Sequence, residues 1–118
     1  MTGGRDVKFG AYVRQERKDR EIGLREMAKK IGVSPTYLSK VERDDFPPPA
    51  EDKVRKIAEI FGIDVDELLA LAGKVSSDLS EIIRERPREL AALLRTTKGL
   101  TADDVARLAR EAQKSKDK

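Results

Sequence analysis

The side chains able to do chemistry in this sequence are oxygen acceptors, hydroxyls and cationic nitrogens. There is no histidine and no cysteine, which removes the commonest general base, nucleophile and transition-metal ligands. The Asp and Glu residues alternate with Lys and Arg along amphipathic stretches, as solvated helix faces do. The glycines are scattered as helix stops, and no phosphate-cradling loop occurs. Asp64-x-x-Glu67 is the acidic spacing that most invites a metal reading, but it fits a helix-opening capping box. A calcium loop needs more oxygen ligands and a glycine at a set position. No enzyme, cofactor or metal is expected. What remains is recognition. Ser34, Pro35, Thr36, Tyr37, Ser39, Lys40 and Arg43 gather hydroxyls and cations in one short stretch. Such groups donate to phosphate oxygens and base edges.

The elements that hold this stretch are legible around it. Leu24, Met27, Ala28 and Ile31 follow the i, i+3, i+4, i+7 spacing of a helix packed on one side. Gly32 stops that helix in the left-handed cap conformation, and Val33 is expected as a buried plug. Ser34 caps the next helix, with Pro35 at its first position. That second helix, Pro35 to Glu42, buries Leu38 and Val41 and turns Pro35, Thr36, Ser39, Lys40 and Arg43 outward. A short helix with polar and cationic residues at its exposed start has the shape of a recognition helix for the DNA major groove.

With Ala28, Gly32-Val33-Ser34, Tyr37-Leu38-Ser39, Val41-Glu42-Arg43 and Ile57-Ala58 in place, the chain resembles the lambda-repressor-like helix-turn-helix family, the Cro and phage-repressor (Xre) type. The resemblance covers roughly residues 9–72. It implies an all-α fold, with a five-helix DNA-binding domain over residues 8–73. It also implies an ion pair between Arg17 and Glu42 that tethers the first helix to the third; the alternative is that Arg17 is a surface cation contacting phosphate. By position in the motif, Pro35, Thr36, Ser39 and Lys40 face base edges. Arg14, Arg25, Lys29, Ser34, Tyr37 and Arg43 are candidates for phosphate, Arg25 with the help of the amides at its helix N-terminus. For Tyr37, packing against the preceding helix is the equal alternative. Relatives usually carry glycine and basic residues after the recognition helix. Here Asp44-Asp45-Phe46-Pro47-Pro48-Pro49 is acidic and stiff, so strong phosphate contacts are not expected from it. Phe46 is expected to plug the core.

The remaining pattern is helical throughout. A first helix is expected over about Lys8 to Arg20, with Arg14, Lys18 and Arg20 outward. A fourth spans about Glu51 to Phe61, burying Val54, Ile57, Ala58 and Phe61, and a fifth carries Leu68, Leu69, Leu71 and Ala72. Beyond Lys74, apolar stripes recur. Leu79, Ile82 and Ile83 mark one helix; Leu90, Leu93 and Leu94 a second opened by Pro87; Val105 and Leu108 a third opened by the capping box Thr101-x-x-Asp104 and running to about Gln113. About 40 residues rarely sustain a core alone. Residues 74–114 are therefore expected to form a dimerisation segment through these eight apolar positions; a helical cap serving stability is the alternative. Residues 1–7 and 115–118 are expected as flexible tails.

The charge is distributed unevenly. Residues 1–43 carry 11 Lys/Arg against 6 Asp/Glu, a net +5, whereas residues 44–73 carry 3 against 8, a net −5. This is the asymmetry of a molecule with one face toward phosphate. No apolar run reaches a membrane span of about 18 residues, and the first residues lack the apolar core of a signal peptide. No disulfide is possible, which fits a reducing compartment. The expectation is a cytoplasmic, bacterial or phage-encoded, nucleoid-associated regulator. It would bind double-stranded DNA at a palindromic operator as a homodimer, as a repressor. No effector or protease domain is expected within this length. The competing class is a protein-interaction adaptor or antitoxin-type regulator that meets a protein partner through the C-terminal helices.

Overall fold

The computed structural model describes residues 7–117. Among them are eight helices: α1 (Phe9–Asp19), α2 (Leu24–Ile31), α3 (Pro35–Glu42), α4 (Glu51–Phe61), α5 (Val65–Leu71), α6 (Ser77–Glu85), α7 (Pro87–Thr96) and α8 (Ala102–Lys116). No strand occurs among the described residues. Of the start expected to be flexible, residues 1–7, all but Val7 lie outside the described residues. The chain divides into two units after Ser77.

In the first unit the apolar positions of five helices meet in one core. Phe9 and Val13 come from α1, Met27, Ala28 and Ile31 from α2, and Leu38 and Val41 from α3. Val54, Ile57, Ala58 and Phe61 of α4 and Leu68 and Leu69 of α5 complete it. Each fully buried aliphatic side chain contributes roughly 1.5–3 kcal/mol. Gly32 ends α2 at φ +80°, where a side chain is strained, and its amide returns to the Ala28 carbonyl at 2.9 Å. Val33 is only half-buried, packed on the core's edge. Its amide is held by the same Ala28 carbonyl at 2.9 Å, and this keeps it in the tight turn instead of in the core.

Phe46 does not plug the core: it is 40% exposed. The amides of Asp45 and Phe46 both donate to the Lys40 carbonyl, at 2.9 and 3.3 Å, so the loop doubles back along α3. Pro49, three residues on, is the loop residue that is buried. Arg20 is exposed, in line with its outward position, and it also has a partner. Its guanidinium donates to the Phe61 carbonyl at 2.9 Å and lies 4.7 Å from the Phe61 ring centroid. It thus covers the carbonyl end of α4 with a cation, where the helix dipole favours one.

The second unit consists of α6, α7 and α8, none of which has a buried residue. Thr101 and Asp104 form the capping box reciprocally. The Thr101 amide donates to the Asp104 carboxylate at 3.2 Å and the Asp104 amide to the Thr101 hydroxyl at 3.0 Å. The Thr101 amide, then the Arg107 guanidinium and the Thr101 hydroxyl, hold the Asp104 carboxyl below the ordinary carboxylate value. α8 continues to Lys116, past the expected end near Gln113 and into the tail expected to be flexible. Its acidic first turn and the lysines of its last turn both suit the helix dipole.

Candidate nucleic-acid interface

α3 is set in place from both ends. At its start the Ser34 hydroxyl accepts the Tyr37 amide at 3.1 Å, and Pro35 occupies the first turn. The hydroxyl proton of Ser34 is left to donate outward, and Ser34 is exposed. At its end Glu42 receives a two-pronged bond from Arg17, Nε to Oε2 at 2.8 Å and Nη2 to Oε1 at 2.9 Å. Arg17 Nη1 donates to the Ile22 carbonyl at 2.8 Å. The two residues are 8% and 4% exposed. The arginine therefore ties α1, the α1–α2 turn and α3 together, with its charged fork turned inward. Hydrogen bonding to Glu42 raises the Arg17 pKa above the ordinary guanidinium value.

A third fixture is absent from the sequence reading. Lys8, which precedes α1, has no side chain that caps the helix. The carboxylate of Asp44 does so instead, accepting the amides of Gly10 at 2.8 Å and Ala11 at 3.2 Å. Asp44 stands just past α3 with φ +61°, a left-handed conformation that aspartate tolerates better than most residues. The backbones approach so closely that a Cβ on Gly10 would lie 2.0 Å from the Val41 carbonyl oxygen. The sequence did carry a hint: a helix start with no local cap, and an unexplained acidic pair at the end of α3.

Around α2 and α3 the candidate contact residues fall into two groups. Leu24, Arg25, Pro35, Thr36, Ser39 and Arg43 line one shallow depression. Arg14 and Arg43 border the adjoining one, with the Arg17–Glu42 pair at its floor. Arg25 thus lies beside the start of α3 and Arg14 and Arg43 beside its second half, and all three are exposed. Thr36 is exposed, while Pro35, Ser39 and Lys40 are half-buried. Lys40 and Tyr37 turn toward Phe46 instead. The Lys40 ammonium lies 5.1 Å from the Phe46 ring centroid, and the Tyr37 and Phe46 rings are 5.9 Å apart. Lys29 is exposed and lines neither depression. Arg43 is not a bare cation: its Nε lies 3.2 Å from the Asp45 carboxylate.

Of the eight apolar positions expected to pair two copies, Leu79, Ile82, Leu93, Leu94, Val105 and Leu108 are exposed, and Ile83 and Leu90 are half-buried. No group of carboxylates among the described residues could hold a metal ion.

Comparison with known proteins sets these features in a family. The model of a helix-turn-helix domain family matches residues 10–74, more than half of the chain. The transcriptional regulator SinR of Bacillus subtilis is 28% identical over 83 residues, covering 65% of this chain and 75% of SinR. A 10 kDa protein of the ImmF control region of Bacillus phage phi105 is 34% identical over 61 residues, covering 52% of this chain and 67% of that protein. Among solved structures, SinR in complex with DNA is similar at 33% identity and a TM-score of 0.47, over 52% of this chain and 97% of that one. The chain belongs to the helix-turn-helix domain family, as a transcriptional regulator of the Xre type.

Proposed function

We propose that this protein binds a two-fold symmetric operator in double-stranded DNA as a homodimer and represses by occupying it. The observation that carries the reading is the outward side of α3, fixed at its start by Ser34 and at its end by Glu42, with Arg25 beside Pro35 and Thr36 and with Arg14 and Arg43 beside Ser39. Arginines at the rim meet phosphates and set register, and side chains of the helix start read bases. Thr36 and Pro35 suit a thymine methyl, and Lys40 suits guanine O6 and N7. Phosphate contacts are assigned to Arg14, Arg25, Lys29, Ser34, Tyr37 and Arg43. Arg17 is assigned to the tether with Glu42, since each of its three nitrogens donates inside the fold. Dimerisation is assigned to residues 74–114, because one recognition helix reads too few base pairs to be selective. No helix of the described residues is long and apolar enough to cross a membrane, and the proposed role places the protein at the nucleoid.

Selection of bound sequences from a random duplex pool tests this. The expected product is a palindrome with half-sites about one helical turn apart. Lys40→Ala and Thr36→Ala should each relax choice at particular positions, by roughly 1–3 kcal/mol. Recovery of no preferred sequence, together with salt-independent binding, would overturn the reading.

One observation favours a second reading. Leu79, Ile82, Leu93, Leu94, Val105 and Leu108 of α6–α8 are exposed, which suits a protein partner in place of a second copy. Sedimentation of the purified chain as a monomer would favour that adaptor or antitoxin-type function.

A further inference from the structure

An exposed phenylalanine directly after a recognition helix needs a reason, and its surroundings supply one. The loop carrying Phe46 is folded back by two amides on one acceptor, the Lys40 carbonyl. The same turn brings the Phe46 ring under the Lys40 ammonium, 5.1 Å from centroid to nitrogen. Tyr37, one helical turn before Lys40, packs its ring on Phe46 at 5.9 Å and a 50° tilt. The two neighbouring carboxylates are directed elsewhere: Asp44 to the start of α1 and Asp45 to Arg43.

We propose that Phe46 is a positioning residue for base readout, ordering the Lys40 ammonium on its ring face before DNA is met. This deepens the reading of α3 as the DNA-reading helix and rests on it. A free lysine side chain has many rotamers and loses them on binding. A ring that orders it beforehand reduces that loss. The choice of a ring over a carboxylate matters, because a cation on an aromatic face is held without being neutralised. Its donors remain available to guanine, whereas a salt bridge would compete for them.

The test uses the full chain and two probes: the duplex recovered by selection with the wild type, and a random duplex of equal length at equal salt. Phe46→Ala and Phe46→Leu should each lower the preference for the selected duplex about two- to five-fold, the size expected of an exposed cation–π contact. Phe46→Trp, which keeps a stronger ring face, should retain it. In a Lys40→Ala background, Phe46→Ala should cause no further loss. Melting curves run alongside; should Phe46→Ala lower stability, the Leu and Trp variants, which keep the bulk, carry the comparison. The inference is overturned if Phe46→Leu keeps the full preference, or if Phe46→Ala acts equally with and without Lys40. It is also overturned if Phe46→Ala raises affinity for both duplexes, which would mean that the ring withholds the lysine. Loss with Lys40→Ala alone sinks this inference and spares the DNA reading. A wild type that recovers no duplex sinks the reading itself.

Discussion

The carboxylate of Asp44 accepts the amide of Gly10 at 2.8 Å, joining the end of α3 to the first turn of α1 across 34 residues of chain. A helix start that Lys8 does not cap is completed by Asp44, two residues past the recognition helix. The acidic residue that departs from the family pattern is thus a structural one. Removing it with Asp44→Ala should cost about 1 kcal/mol, the usual worth of a side-chain N-cap, and somewhat more for the lost tolerance of φ +61°. Asp44→Asn keeps the acceptor and the backbone preference and should lose less. Thermal unfolding of the two variants checks the order.

Gly10→Ala is a sharper probe of the same junction. Its Cβ would sit 2.0 Å from the Val41 carbonyl oxygen, so α1 and α3 must separate. A loss of about 3 kcal/mol, at the upper end for overpacking, is expected in denaturant unfolding. A near-neutral result would show that α1 can slide on α3.

The Arg17–Glu42 pair predicts asymmetry. Either Arg17→Met or Glu42→Gln leaves a buried charge without its partner and should cost roughly 3–5 kcal/mol. Arg17→Met with Glu42→Leu should recover most of that loss while weakening operator binding, because packing replaces stability but not the directional fork. Equal losses in the single and double variants, read by unfolding, would contradict this.

The alkaline limit follows from two groups whose folded pKa lies above the ordinary value. Tyr12 is raised first by burial and then by the Glu16 carboxylate, and Arg17 by its bond to Glu42. A raised folded pKa gives stability that is present below the unfolded value and lost as pH rises through the folded one. For Tyr12 the loss begins above about pH 10; for Arg17 it begins higher still. Stability should therefore be unaffected by these two groups from pH 6 to about pH 9, then fall. Tyr12→Phe should remove the first part of that fall, which melting temperatures across the range would reveal.

Asp45 sits 3.2 Å from Arg43 Nε, where a DNA phosphate is proposed to go. An exposed pair of this kind contributes little to stability, but it competes for the cation. Asp45→Asn should leave the melting temperature nearly unchanged and strengthen binding to all duplexes alike. It should also steepen the dependence of log affinity on log salt by about 0.9, one phosphate's worth. A change confined to the selected duplex would assign Arg43 to base reading instead.

What the sequence decided by itself is the local part of this protein. Met27, Ala28 and Ile31 fall on one helix face because 3.6 residues make a turn. Gly32, Ser34, Asp64 and Thr101 mark their helix ends because stops and caps act over three or four residues. That was enough for an all-α chain and for the helix pair whose exposed start faces the proposed ligand. The Arg17–Glu42 link came only from the family resemblance, since nothing in a 25-residue separation fixes a distance. The rest was decided in three dimensions. Arg20 covers the end of α4 from 41 residues away. Glu51 accepts the amide of Ser77, 26 residues on, at the end of the first unit. Phe46 stands outside the core, although its apolar character pointed inward. A side chain's type states what it is able to bond. Which partner it meets depends on how α1, α3 and α4 pack: the Lys40 carbonyl folds the loop of Phe46 back outside the core, and the Phe61 carbonyl gives the exposed Arg20 its partner.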